Sequence, residues 1–193
     1  EDIIALDGRV VLHPADTDIN DLPETAIRPY PAQYIGEFKS ERNMEFRFRP
    51  IRPEDEPLMV DFHQSLSERT VKLRYFTPMN LRQRTSHERL ARIVFIDYDR
   101  EMAMVAVRRN EKAGKDEIAA VGRLTKAHNE SEAEFGIIVS DRYQGQGLGR
   151  EMLSRLLDIA GHEHLISVTG YILPENDGML NLAEQMGFEM NTN

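Results

Sequence analysis

Seven consecutive residues, Gln144, Gly145, Gln146, Gly147, Leu148, Gly149 and Arg150, set three glycines at alternate positions ahead of a cation. Glycine tolerates positive φ and carries no Cβ to keep a ligand from the backbone. An apolar run over residues 135–139 precedes the stretch. Leu148, Met152, Leu153, Leu156, Leu157 and Ile159 follow it at helical spacing. The pattern predicts a strand that runs into a glycine turn, and a turn that opens a helix. A helix start presents unpaired N–H groups and the positive end of the dipole, which suits an anion. The spacing is not the G-x-G-x-x-G of a dinucleotide fold, and the Gly-Lys-Ser/Thr of a P-loop is absent. Taken alone, the motif also fits a strand–helix turn with no ligand.

The elements around this turn must come from a chain of 193 residues, enough for one domain and a short extension. Hydrophobic content of 40% with 30% charged residues reads as soluble and globular. No apolar stretch approaches the ~20 residues that span a bilayer, and no signal peptide is visible. With zero cysteines, disulfides, thiolate zinc sites and a cysteine nucleophile are excluded. This composition fits a cytoplasmic protein. Net charge is −9, from 24 basic and 33 acidic residues, which argues against nucleic acid as the main partner. An acidic surface serves solubility and can also steer a basic substrate such as lysine.

Along the chain, residues 1–43 form an extension or linker. Two short strands are predicted around Ile3 to Leu6 and Val10 to Leu12, followed by Pro14, Pro23, Pro29 and Pro31. Residues 44–193 read as the folded domain. Phe46 and Phe48 alternate with Arg47 and Arg49 in a first strand. Pro53, Glu54, Asp55 and Glu56 start a helix, with carboxylates where the dipole favours them. Ser67 caps a second helix that Pro78 ends, and a third covers residues 86–96. Strands over 102–107, 118–124 and 135–139, linked by polar turns, lead into the glycine turn. An apolar stretch over 165–173 is the last strand. Residues 176–186 are the last helix, closed by Gly187. The order gives an α/β fold with a largely antiparallel sheet.

Gln-x-x-Gly-x-Gly after an apolar strand resembles the pyrophosphate loop of the GNAT acetyltransferases. Pro174-Glu175-Asn176 and residues 182–188 stand where that family expects them, so the resemblance covers roughly residues 45–190. It implies the GNAT fold, a mixed and largely antiparallel central sheet flanked by helices, and acetyl-CoA as cosubstrate. Arg74-Tyr75-Phe76 and residues 95–103 resemble, more narrowly, the bacterial protein-lysine acetyltransferases of the Pat type. Ala5 to Arg9 with Ile27 to Pro31 looks like the tail of an ADP-forming acyl-CoA synthetase region fused ahead of a GNAT domain. The chain then reads as the C-terminal part of such a fusion. Family members usually carry two further strands after Gly187-Phe188. Their absence here implies a shortened C-terminus or another segment over that sheet edge.

On this resemblance the backbone N–H groups of Gln144, Gly145, Gln146, Gly147, Leu148, Gly149 and Arg150 hold the pyrophosphate. Ile137, Ile138 and Val139 line a splay in which pantetheine pairs like a strand. An N–H near Ile137 or Ile138 stabilises the oxyanion, and Asn176 contacts the CoA arm or caps the last helix. Glu134, in Ala133-Glu134-Phe135, matches the Pat-type catalytic base. The alternative for Glu134 is a solvated strand-end carboxylate, as for Glu130 and Glu132. A lysine amine with pKa ~10.4 needs such a base at neutral pH. Many small-molecule members place a tyrosine in the last helix as thiolate proton donor. Ala183 stands there, as in Pat-type sequences. His162-Glu163-His164 follows a helix end, and its histidines suit a helix C-terminus better than a metal.

The implied activity is transfer of acetyl from CoA to a protein lysine, with an AMP-forming acyl-CoA synthetase as protein partner. Two other readings stay open: a small-molecule amine N-acetyltransferase, and a non-catalytic acyl-CoA sensor.

Overall fold

The computed structural model describes residues 12–17, 28–111, 113–127 and 131–191. Six strands form one sheet in the order β1-β2-β3-β4-β5-β6. They are β1 (Gly36–Lys39), β2 (Glu45–Pro50), β3 (Glu101–Asn110), β4 (Lys115–Lys126), β5 (Glu132–Val139) and β6 (Ser167–Thr169). Neighbours are antiparallel except β5 and β6, which run parallel. This is the mixed, largely antiparallel α/β sheet that the sequence predicts.

Helices cover both faces, so the central strands are apolar on both sides. In β3, Met102, Met104 and Ala106 face one cluster, which includes Leu148, Met152, Leu153 and Leu156 of α5 (Leu148–His162). Ala103, Val105 and Val107 face the other cluster. There they meet Met59 and Phe62 of α1 (Glu56–Ser65), Val71 of α2 (Glu68–Tyr75), and Leu90 and Val94 of α4 (His87–Val94). The period-2 alternation of side chains assigns each residue to its face.

Local chemistry sets the helix ends. The Ser67 hydroxyl accepts from Thr70 N–H and caps α2. That helix ends one residue before the sequence implies, because Phe76 adopts a left-handed φ of 64°. Asp55 closes a 3-10 turn over Pro53–Asp55, and its carboxylate takes both Arg49 nitrogens at 2.6 Å. A short helix, α3 (Leu81–Arg84), has no counterpart in the sequence reading, although Asn80 and Gln83 form its capping box. The last helix, α6 (Asp177–Gln185), is closed by Gly187 at φ 86°.

Two boundaries differ from those read in sequence. The sheet begins ahead of residue 44: β1 pairs with β2 from Gly36↔Phe48 to Lys39↔Glu45. Residues 28–34 also join the domain, with Tyr30 Oη donating to Pro50 O at 3.0 Å. The apolar stretch 165–173 contributes only Ser167–Thr169 as strand, because pairing with β5 stops at Glu134↔Thr169. The strands read around Ile3 to Val11, and the synthetase-like stretch Ala5 to Arg9, lie outside the described residues. Among the described residues no helix is long and apolar enough to cross a membrane.

Candidate functional site

Strand β5 carries the site, and its register decides which backbone groups are free. Ser140 N–H donates to Ala119 O, and Ala127 N–H donates to Glu132 O. The ladder between them is continuous, from Ala120↔Val139 to Lys126↔Ala133. Hydrogen-bonded pairs alternate along an antiparallel ladder. So Glu132, Glu134, Gly136 and Ile138 turn their N–H and C=O groups to β4. Ala133, Phe135, Ile137 and Val139 turn theirs to the β6 side. Beyond Glu134↔Thr169 no strand stands opposite among the described residues. Ile137 and Val139 therefore offer N–H groups to an open splay. Between the two residues that sequence leaves as the oxyanion donor, register favours Ile137, since the Ile138 N–H is taken up by β4.

The splay is built by packing. The Phe135 ring lies where a Cβ on Gly170 would have to go, 2.3 Å from it, and meets the Phe188 ring at 5.3 Å. Residues 170–173 thus cross Phe135 and leave the line of β5.

The glycine turn sits at the far end of the strand. Gly145 and Gly147 both take positive φ, 64° and 87°, and Gly147 is the N-cap of α5. The first helical bond there runs from Glu151 N–H to Gly147 O. The N–H groups of Leu148, Gly149 and Arg150 precede it and have no helical acceptor. The glutamines shape the turn. Gln144 Nε2 donates to Thr70 Oγ1 at 3.1 Å and to Val139 O at 3.0 Å. Gln146 is 1% exposed, and its Nε2 donates to Arg142 O at 3.1 Å. Both Nε2 groups are thus spent on the protein, while Gln146 Oε1 is buried with no hydrogen-bond partner among the described residues. Arg150 reaches α6, donating to Gln185 Oε1, with Met186 Sδ at 3.5 Å. Its charge remains at the rim of the turn.

A preceding 3-10 turn over Asp141–Tyr143 is anchored from two sides. Asp141 accepts from Ser67 N–H (2.8 Å), Ser67 Oγ (2.7 Å) and Thr70 Oγ1 (2.8 Å), tying the turn to the start of α2. Burial alone raises the Asp141 pKa, but the hydrogen bonds outweigh it and hold the carboxyl below its ordinary value. On the other side the buried Tyr143 donates to Glu117, and Arg108 donates to the Tyr143 hydroxyl at 3.2 Å.

Glu134 stands at the last position where β5 pairs with β6, and it is exposed. Its carboxylate has no hydrogen bond or ion pair among the described residues. By alternation it shares a face with Gly136 and Ile138, towards α1 and α2. Asn176 Oδ1 accepts from Met179 N–H at 3.3 Å and caps α6. The His162-Glu163-His164 side chains do not converge. His162 stacks on Tyr34, Glu163 takes Arg28 and Lys126 at 2.7 and 3.0 Å, and His164 is exposed with φ 54°. Sequence reading misses Arg89 and Arg123, which line a cavity above Gly136 and Ile138 with Arg74 and Tyr75. Arg74 belongs to the Arg74-Tyr75-Phe76 stretch that the sequence reading singles out by resemblance.

The arrangement suits a long anionic ligand. The turn offers free amides of the kind that suit phosphate oxygens, Ile137 and Val139 offer free amides along an extended edge, and the Glu134 carboxylate stands farther along the same strand. Residues 45–189 match the family model described as "Acetyltransferase (GNAT) domain". A Pseudomonas aeruginosa acetyltransferase is 27% identical over 140 residues, covering 72% of this chain and 73% of its own. The crystal structure of the GNAT domain of S. lividans PAT superposes with a TM-score of 0.75 at 22% identity, over 86% of this chain and 93% of that one. Mycobacterium smegmatis RimJ in complex with CoA-disulfide gives 0.60 at 17% identity, over 82% and 76%.

Proposed function

Because the chain belongs to the GNAT acetyltransferase family and is an acetyl-CoA-using N-acetyltransferase, we propose that its acceptor is a lysine side chain on a protein. The observation that carries this reading is the exposure of Glu134 at the point where the splay begins, where a lysine on a folded surface can reach it. The last-helix position that holds a tyrosine in many small-molecule members is Ala183, 1% exposed. The S. lividans PAT domain shares the fold, which is compatible with the same acceptor class.

Acetyl-CoA lies with its pyrophosphate on the N–H groups from Gln144 to Arg150 and its pantetheine arm along Ile137 and Val139. The lysine nitrogen attacks the thioester carbonyl carbon, forming a C–N bond as the C–S bond breaks. Ile137 N–H donates to the carbonyl oxygen as charge develops there. Ile137 is three steps along the strand from Glu134, ~10 Å between Cα atoms. Glu134 therefore takes the amine proton through water, and the leaving thiolate is protonated by water.

An AMP-forming acyl-CoA synthetase is the proposed protein partner, inactivated when its catalytic lysine is acetylated. Thiol release from acetyl-CoA tests this with such a synthetase and, separately, a panel of small amines. Release only with the synthetase, with acetyl-lysine found in it, is expected. Release only with small amines overturns the acceptor. Binding without release from either marks a sensor.

A further inference from the structure

The cavity over β4 and β5 has a composition that the lysine reading does not explain. It encloses about 180 Å³, and its lining includes Arg74, Arg89 and Arg123 but no carboxylate. Of the three, Arg123 forms an ion pair among the described residues, with Glu101, and it also donates to Ile93 O. Arg89 spends one nitrogen on Arg84 O at 3.1 Å and on His63 Nε2 at 3.4 Å. His63 is fully buried; burial, then the charges of Arg89 and Arg84, lower its pKa to about 3, so it is neutral and offsets nothing. Arg74 makes no hydrogen bond or ion pair among the described residues. Its guanidinium lies over the Tyr75 ring at 5.4 Å, and Arg89 lies over the same ring at 5.1 Å.

Arg74 also lies flat across Gly136. A Cβ there would meet its Nη2 at 2.2 Å and Cζ at 2.4 Å. The absence of a side chain at Gly136 is what lets a guanidinium reach the strand beside Ile137. Burial first, then the facing charges of Arg123 and Arg89, lower the Arg74 pKa, against the opposing pulls of Tyr75 and Glu134.

Arg74 and Arg89 share the Tyr75 ring and are partly desolvated, neither has a hydrogen-bonded carboxylate among the described residues, and together they repel an incoming ammonium. The cofactor's pyrophosphate does not relieve them, because its turn lies beyond Val139 at the end of the strand. We propose that this cavity is an anion subsite in which Arg74 and Arg89 bind a carboxylate that accompanies the acceptor amine. Arginine forks match carboxylate geometry, and the volume suits one acidic side chain or one small acid. The inference rests on the lysine reading. The favoured acceptor is a lysine with an aspartate or glutamate close beside it, whose negative charge enters where the lysine's positive charge cannot.

Thiol release with three peptides, identical but for glutamate, glutamine or arginine flanking one lysine, tests this in the full chain. The glutamate peptide is expected to show kcat/KM about tenfold above the glutamine peptide, the worth of one charged hydrogen-bonded contact. Arg74→Gln and Arg89→Gln should each erase the preference without changing acetyl-CoA affinity. Arg74→Lys, which keeps the charge but loses the fork, should retain part of it. If millimolar glutarate raises the glutamine peptide to the glutamate level in the parent but not in Arg74→Gln, the carboxylate comes from a free acid instead. Equal turnover of all three peptides, unchanged by glutarate, overturns the subsite and leaves the lysine reading intact. No turnover of any peptide, with small amines acetylated, overturns the lysine reading and this inference with it.

Discussion

Glu134→Gln is expected to slow acetyl transfer by ~10²–10⁴-fold while leaving acetyl-CoA affinity and thermal stability unchanged. Glutamine keeps the shape of glutamate but cannot take a proton. In many proteins such a change also costs stability, because the carboxylate is part of an ion pair. Here Glu134 is exposed and has no such partner among the described residues, so the kinetic effect is separable from folding. Nor does it touch the glycine turn, so the KM for acetyl-CoA should hold. Initial-rate kinetics with saturating acceptor, alongside a melting curve, read both quantities. A folded Glu134→Gln protein that binds acetyl-CoA and keeps full turnover contradicts the assigned role.

Gly147→Val is expected to raise the KM for acetyl-CoA on the order of 10²-fold, the loss of one to two charged hydrogen bonds. Two causes act together. Gly147 sits at φ 87° as the N-cap of α5, a conformation that a β-branched residue rarely adopts. The new Cβ would also lie 3.4 Å from Phe38 Cζ on β1, already in contact, so the valine methyls add bulk next to that ring. The strain should cost about 1–3 kcal/mol of stability. Gly161→Ala is the matched control. That glycine lies within α5 with nothing within 4 Å of its would-be Cβ, so alanine should leave KM unchanged. Equal effects from the two variants would show that the turn's backbone is not what holds the ligand.

The parts of this site that were legible in sequence are those built from consecutive residues. An apolar run, a glycine turn and a helical period lie within one stretch of about 25 residues, and β5, the turn and α5 form where that pattern puts them. Caps behave likewise: Ser67, Asn176 and Gly187 act within three residues of their own positions. Elements whose limits depend on distant partners were less legible. Gly36, Glu37, Phe38 and Lys39 carry a single large apolar side chain, and become β1 only because β2 offers an edge. Residues 165–173 look like one strand, but strand structure needs a partner, and the departure from β5 after Thr169 removes it. The choice between Ile137 and Ile138 is one of parity along a ladder, set by which β4 carbonyl faces Ser140. Arg74, Arg89 and Arg123 come from α2, α4 and β4, and no spacing in the sequence relates them.

The central claim is that the open edge of β5 receives acetyl-CoA through the N–H groups of Ile137 and Val139. Residue-resolved amide hydrogen exchange, with and without acetyl-CoA, tests it most directly. The account predicts that Ile137 and Val139 exchange readily in the free protein and become protected on binding. Ile138, bonded to β4 throughout, should be protected in both states. Protection of Ile137 and Val139 that acetyl-CoA leaves unchanged would contradict it.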